Sequence, residues 1–203
     1  MTRNTAVLAG ATGLVGRYLQ QVLEEDAFYD DRIALQRSDY ANLHLPPVTH
    51  LFCCLGTTIG KAGSQQAFRA VDFDLVLQFA RAGLDAGARR MMVVSSVGAD
   101  PGASNFYLRV KGEMEGALSE LGFEALHIFR PSVLMGQRAE ARAGEQWGIR
   151  FARAFEWALV GAAKKYRPMP AGVLASAMAA AGERGAPGRH IHHYQEILDL
   201  AGA

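Results

Sequence analysis

Short runs of apolar and β-branched residues alternate along the chain with longer stretches in which apolar residues recur at helical spacing. That alternation is the pattern of βαβ units on a parallel sheet. The first run, Thr5–Ala9, ends at Gly10, and Leu14, Tyr18, Leu19 and Val22 then mark one face of a helix expected over Leu14–Glu25. Residues 32–37 read as a second strand and 49–54 as a third. Only about a dozen residues, Pro46-Pro47 among them, separate these two strands. That is too short for a full crossover helix, so one element of the regular repeat is shortened or missing. A long helix is expected over 64–86, a strand over 90–96, a helix over 104–121 and a strand over 124–130. Beyond Gly136 the pattern loosens, with helices expected over 145–160, 171–181 and Tyr194–Ala201. The fold class expected is α/β: a single Rossmann-type, doubly wound parallel sheet over 1–203, helices on both faces, with 137–203 adding a small helical cap on the substrate side.

Composition narrows the partners more than the fold. Half of the 203 residues are apolar and the formal net charge is +1, a balance that suits a packed domain and gives no basic stripe for nucleic acid. No stretch approaches the roughly 20 apolar residues of a membrane span, and the N-terminus shows no signal-peptide pattern. The two cysteines, Cys53 and Cys54, are adjacent in an apolar run, where a mutual disulfide would be strained and reduced thiols behave as small hydrophobes. These features together lead to an expectation of a cytoplasmic protein.

The first candidate chemistry lies between strand and helix. Gly10-Ala11-Thr12-Gly13-Leu14-Val15-Gly16 places glycines first, fourth and seventh. The first permits a tight turn, the second lets backbone N–H groups approach phosphate, and the third lets helix and strand pack closely. The helix N-terminus adds unsatisfied donors and a positive dipole end. This points to a dinucleotide, with Gly10, Thr12, Gly13, Leu14, Val15 and Gly16 as its contacts. At the end of the second strand stand Leu35-Gln36-Arg37-Ser38. Arg37, supported by Arg17, favours the 2′-phosphate of NADP(H) over NAD(H), whereas Asp39 leaves room for NAD.

A second cluster follows. Ser95 and Ser96 stand at the carboxyl end of a central strand, where open α/β sheets bind ligands. Eleven residues after Ser96 comes Tyr107-Leu108-Arg109-Val110-Lys111, whose Tyr and Lys share one helix face. With the glycine loop in the same order, these motifs resemble the short-chain dehydrogenase/reductase superfamily over about residues 5–135. The resemblance narrows to the atypical group around Tat-interacting protein. It does so through Cys54-Leu55-Gly56-Thr57-Thr58, Val71-Asp72-Phe73-Asp74, Ser96-Val97-Gly98-Ala99-Asp100, Asn105-Phe106-Tyr107-Leu108, Lys111-Gly112-Glu113 and Phe129-Arg130-Pro131.

The resemblance implies that Tyr107 is the general acid or base toward a carbonyl or alcohol oxygen, that Ser96 rather than Ser95 orients that oxygen, and that Lys111 holds the nicotinamide ribose and favours the tyrosinate. Asp72 falls where many relatives complete the proton relay with Asn, and a carboxylate cannot donate as an amide does. Further cofactor contacts fall on Leu55, Gly56 and Thr57, and on Pro131 and Ser132 at the nicotinamide end. The expected activity is NADP(H)-dependent hydride exchange with a small carbonyl or alcohol substrate. The rival is a non-catalytic, NADP(H)-sensing regulator that binds a protein partner. An epimerase or dehydratase fits less well, because Arg37 favours the phosphorylated cofactor.

Trp147, Phe151, Phe155 and Leu159 recur every four residues beside several cations, so the 145–160 helix could serve the core or cap, a homodimer, a protein partner or a membrane surface. His190, His192 and His193 have no carboxylate or thiol cluster beside them, and no metal is expected. Lys61, in a glycine-flanked loop, could contact phosphate or simply be solvated.

Overall fold

Successive residues of a strand point to opposite faces of its sheet, and the strands here divide their side chains accordingly between two apolar cores. In the computed structural model, which describes residues 3–136, 161–184 and 186–203, β1 (Thr5–Ala9) sends Ala6 and Leu8 to one core and Val7 and Ala9 to the other. β3 (His50–Cys53) splits Phe52 from Leu51 and Cys53, β4 (Arg90–Val94) splits Met92 from Met91 and Val93, and β5 (Ala125–Phe129) splits Phe129 from Leu126 and Ile128. Strands buried on both faces in this way belong to a parallel sheet with helices above and below.

Six parallel strands run in the order β2-β1-β3-β4-β5-β8, with β2 at Asp31–Ala34 and β8 at Gly188–His192. One face is covered by α1 (Leu14–Glu25), α6 (Ala171–Arg184) and α7 (Tyr194–Ala201). The other is covered by α4 (Val76–Asp85) and α5 (Phe106–Ser119). Ahead of α4 lie two short helices, α2 (Ile59–Ala62) and α3 (Gln65–Arg69), and a π-helical turn over Ala70–Leu75. A separate pair, β6 (Leu134–Met135) and β7 (Met169–Pro170), sits beyond the sheet.

The structure differs from the expected elements most in three places. Between β2 and β3 the missing crossover helix is a 3₁₀ helix over Arg37–Asn42, and β2 ends at Ala34 instead of reaching residue 37. The helix expected over 64–86 is interrupted by the π turn. Residues 171–203, expected as part of a cap, contribute helix and strand to the layers of the sheet itself: α6 is buried nearly all round and β8 pairs with β5. The helix expected over 145–160, and the partner role expected of it, fall outside the described residues.

Among the described residues no helix is long and apolar enough to cross a membrane, and no group of His, Cys, Asp or Glu side chains is arranged to hold a metal ion. His190 and His192 stack on His127 of β5, with centroids 4.7 and 5.2 Å away, while His193 turns into the cap of α7 with Glu196. Burial pushes the Cys53 thiol up to about 12 and raises Cys54 as well, so both are poor nucleophiles.

Candidate active site

The strand order reverses around β1, between β2 and β3, and at the carboxyl ends of such a switch point a crevice forms. Here it is a cleft of about 790 Å³. Thr12, Gly13, Leu14, Val15, Arg37, Leu55, Gly56, Thr57, Asp72, Ser96, Tyr107, Lys111, Pro131 and Ser132 all line it, although they come from well-separated stretches of chain. Arg17, Cys54, Thr58, Lys61, Val94, Ser95, Val133 and Leu134 complete the wall.

Gly10 and Gly16 stand behind this wall. Gly10 has φ +82°, and a Cβ there would lie 2.6 Å from the Cys54 carbonyl carbon; a Cβ on Gly16 would lie 2.1 Å from the Gly10 oxygen. Both glycines therefore let α1 begin directly beneath the end of β1. The helix starts at Gly13 with no side-chain cap and no acidic residue in its first turn, so its positive end faces the cleft unbalanced by its own residues. The Gly10 N–H donates to Tyr40 Oη at 3.0 Å, a contact that spacing in the sequence does not reveal. Arg37 opens the 3₁₀ helix and reaches the cleft. Asp39 instead accepts the Gln36 N–H at 2.7 Å in a capping box.

Across the cleft, Asn105 caps α5 by accepting the Leu108 N–H. Tyr107 lies in the first turn, half-buried, with its ring 5.5 Å from that of Phe68. One turn later Lys111 is only 3% exposed. Its Nζ is 2.7 Å from Asp72 Oδ1, and the other Asp72 oxygen accepts the Thr57 N–H at 2.8 Å. Asp72 belongs to the π turn, whose extra residue per turn is a common device at functional sites. Burial alone would push the Lys111 ammonium down, but the charges of Asp72 and Tyr107 and the hydrogen bond to Asp72 more than offset it, so its pKa stands above the ordinary lysine value. Asp72 is thus a partner of Lys111 and of the Thr57 amide. The two serines are also separated by their partners: Ser95 Oγ donates to buried Glu115, whereas Ser96 Oγ makes only a long contact with the Val97 carbonyl and faces the cleft. Ser132 Oγ donates to the Arg167 carbonyl, tying the segment after β5 to the strand pair β6-β7.

No family model matches the chain. Protein HTATIP2 of Rattus norvegicus is 46% identical over 100 residues, which cover 49% of this chain and 41% of the rat protein. Protein FMP52, mitochondrial, of Candida glabrata is 32% identical over 163 residues, covering 71% of this chain and 70% of that protein. The chain belongs to the HTATIP2 and FMP52 family of atypical short-chain dehydrogenases/reductases. It spans less than half the length of several curated relatives in this family, the rat protein among them. The human epimerase family protein SDR39U1, solved with NADPH, shares the fold, with a TM-score of 0.68 and 17% identity over 93% of this chain and 74% of that one. Another solved protein of this fold, MoeE5, holds NAD. The expectation of a cytoplasmic protein does not stand, because several FMP52 relatives in the family are named as mitochondrial. The lack of a recognisable signal-peptide pattern therefore does not decide the compartment.

Proposed function

We propose that this family member is an NADP(H)-dependent oxidoreductase acting on a carbonyl or alcohol substrate. The observation that carries the reading is the convergence of an unbalanced helix N-terminus, a glycine cradle that a Cβ would fill, and the Ser96, Tyr107 and Lys111 side chains on one cleft. The glycine loop and the first turn of α1 would hold the pyrophosphate. Arg37 and Arg17 would take the 2′-phosphate, and the commitment of Asp39 to its own cap removes the nearest carboxylate that would favour an unphosphorylated ribose. Leu55, Gly56 and Thr57 would border the adenine side, and Pro131 and Ser132 the nicotinamide end. When bound, the nicotinamide supplies or accepts hydride.

The chain's own groups handle the proton. Tyr107 donates it to, or withdraws it from, the substrate oxygen. Ser96 orients that oxygen by hydrogen bond, and the Lys111 ammonium stabilises the tyrosinate that forms. Asp72, which cannot donate, holds Lys111 in place and fixes the Thr57 amide at the cofactor edge of the cleft. The test is a reductase assay over aldehydes, ketones and quinones with the wild-type protein and Tyr107→Phe. Turnover in the first and a loss of at least about a hundredfold in the second are expected; equal rates would remove Tyr107 from the chemistry.

One observation favours a second reading, a non-catalytic sensor of NADP(H) that engages a protein partner: the Lys111 ammonium already has a buried carboxylate partner. Partner capture that is unchanged by NADPH would argue against it.

A further inference from the structure

Glu115 takes no part in the chemistry assigned above, yet it lies one turn beyond Lys111. Tyr107, Lys111 and Glu115 follow one another at four-residue spacing along one side of α5. Its residue is 1% exposed, and a carboxylate so placed is stable only when its oxygens are fully partnered. They are. Ser95 Oγ donates to Oε1 at 2.5 Å; Arg130 Nε donates to Oε1 at 2.9 Å and to Oε2 at 3.2 Å; Arg130 Nη2 reaches Oε2 at 2.5 Å. Arg189 of β8 stands 3.8 Å from Oε2.

The placement of these partners gives the cluster its meaning. Ser95 immediately follows β4 and precedes Ser96, while Arg130 immediately follows β5 and precedes Pro131 and Ser132. Those are the two strand ends that line the nicotinamide half of the cleft. The backbone joins them twice more, through Ser95 N–H to the Phe129 carbonyl at 2.7 Å and Val97 N–H to the Pro131 carbonyl at 2.9 Å. The glycine loop follows β1 and Arg37 lies beyond β2, with β3 between them and the β4-β5 pair, and they share no residue with the cluster. A carboxylate that merely stapled the core would affect both halves of the cleft alike.

We propose that Glu115 is a positioning residue, which through Ser95 and Arg130 sets the strand ends bearing Ser96 and Pro131-Ser132 at a fixed distance from Tyr107 and Lys111 on its own helix. The inference rests on the cofactor reading above and adds to it a group that touches neither cofactor nor substrate. A fork of paired hydrogen bonds suits the task, because it fixes orientation as well as distance.

Calorimetric titration with two ligands tests it: NADPH, and adenosine 2′,5′-bisphosphate, which keeps the adenine and the 2′-phosphate but lacks the nicotinamide. Should the wild-type protein hold NADH instead, ADP serves as the truncated ligand. Glu115→Gln is expected to weaken the dinucleotide about tenfold, the loss of one charge-assisted hydrogen bond, and to leave the truncated ligand within about twofold. Equal weakening of both ligands would reduce Glu115 to a core staple, and no change in either would remove it from the site; each overturns the proposal. Ser95→Ala deletes one arm while keeping the Glu115–Arg130 pair, so it decides the matter if Glu115→Gln does not fold. The same split, smaller in size, supports the proposal, and its absence overturns it. Wild-type protein that binds no ligand of either kind defeats the cofactor reading itself, and the inference with it.

Discussion

Asp72→Asn removes one charge and almost no volume, which makes it a clean probe of the Lys111 pairing. The side chains of Lys111 and Asp72 are 4% and 1% exposed and meet at 2.7 Å. The amide oxygen of Asn can still accept the Thr57 N–H, so the loss falls on the ion pair. Breaking one partner out of a buried pair costs about 3–5 kcal/mol, which for a chain of this size lowers Tm by about 10 °C.

The pH dependence carries the sharper signature. In the wild-type protein the raised Lys111 pKa contributes stability that is fully present below the unfolded value of about 10.4 and is lost as pH rises through the folded value. In Asp72→Asn the largest opposing contribution is gone and burial outweighs what Tyr107 and Cys53 still supply, so the folded pKa falls below the unfolded one and the variant regains stability as pH rises toward about 10. Urea unfolding at pH 7 and pH 9.5 should therefore show a deficit that is about 3 kcal/mol or more at pH 7 and visibly smaller at pH 9.5. A deficit below about 1 kcal/mol at pH 7, or one that does not change with pH, would refute the argument.

Three further outcomes follow from other parts of the structure. Gly16→Ala puts a methyl group 2.1 Å from a backbone oxygen that cannot move aside easily; it should cost about 2 kcal/mol in chemical denaturation and weaken NADPH binding, and full retention of both would show that the loop yields. Arg37→Ala should lower the preference for NADPH over NADH by about tenfold, or 1.4 kcal/mol, in paired titrations, with NADH affinity unchanged. His127 and His192 are pushed down to about 4, by burial first and then by their neighbouring histidines. The unfolded chain takes up their protons first, so stability should fall as pH drops from about 6.5 to about 4, by at most about 1.4 kcal/mol per pH unit for each histidine. His127→Gln should flatten that fall in an acid titration of Tm.

The parts of the chain with strong punctuation were legible. Thr5–Ala9 and Leu14–Glu25 are found as expected because the glycine loop separates a buried strand from a helix with a clear apolar face, and Tyr194–Ala201 has an equally clear stripe. The residues lining the cleft were legible through motif order, although they are distant in sequence. Residues 35–37 were not, since the Asp39 capping box closes β2 early and no alternation of residue types announces it. The edge strand β8 was also missed. Its sequence, Gly-Arg-His-Ile-His, is half-exposed and mostly polar, and its place in the sheet depends on pairing with β5, a long-range property. The π turn at Asp72 has no signature in residue types, so the capture of Lys111 by that carboxylate was visible only in three dimensions. Glu115 had a usable signal, its four-residue step from Lys111, but nothing in the sequence shows that Ser95 and Arg130 would meet it.

The helix that begins at the glycine loop does not rest on its neighbours in the chain. Val15, Leu19 and Leu23 of α1 belong to the same core as Leu174, Ala175 and Met178 of α6, about 150 residues later. Closing that core brings together two distant parts of the polypeptide, a slow step compared with forming local contacts. The stretch from β1 to β5 is therefore no autonomous folding unit. During synthesis, the crevice-forming half must wait, its apolar underside uncovered, until α6 and α7 have left the ribosome; a chain cut ahead of α6 would present Leu19, Phe52, Met92 and Phe129 to water and to aggregation.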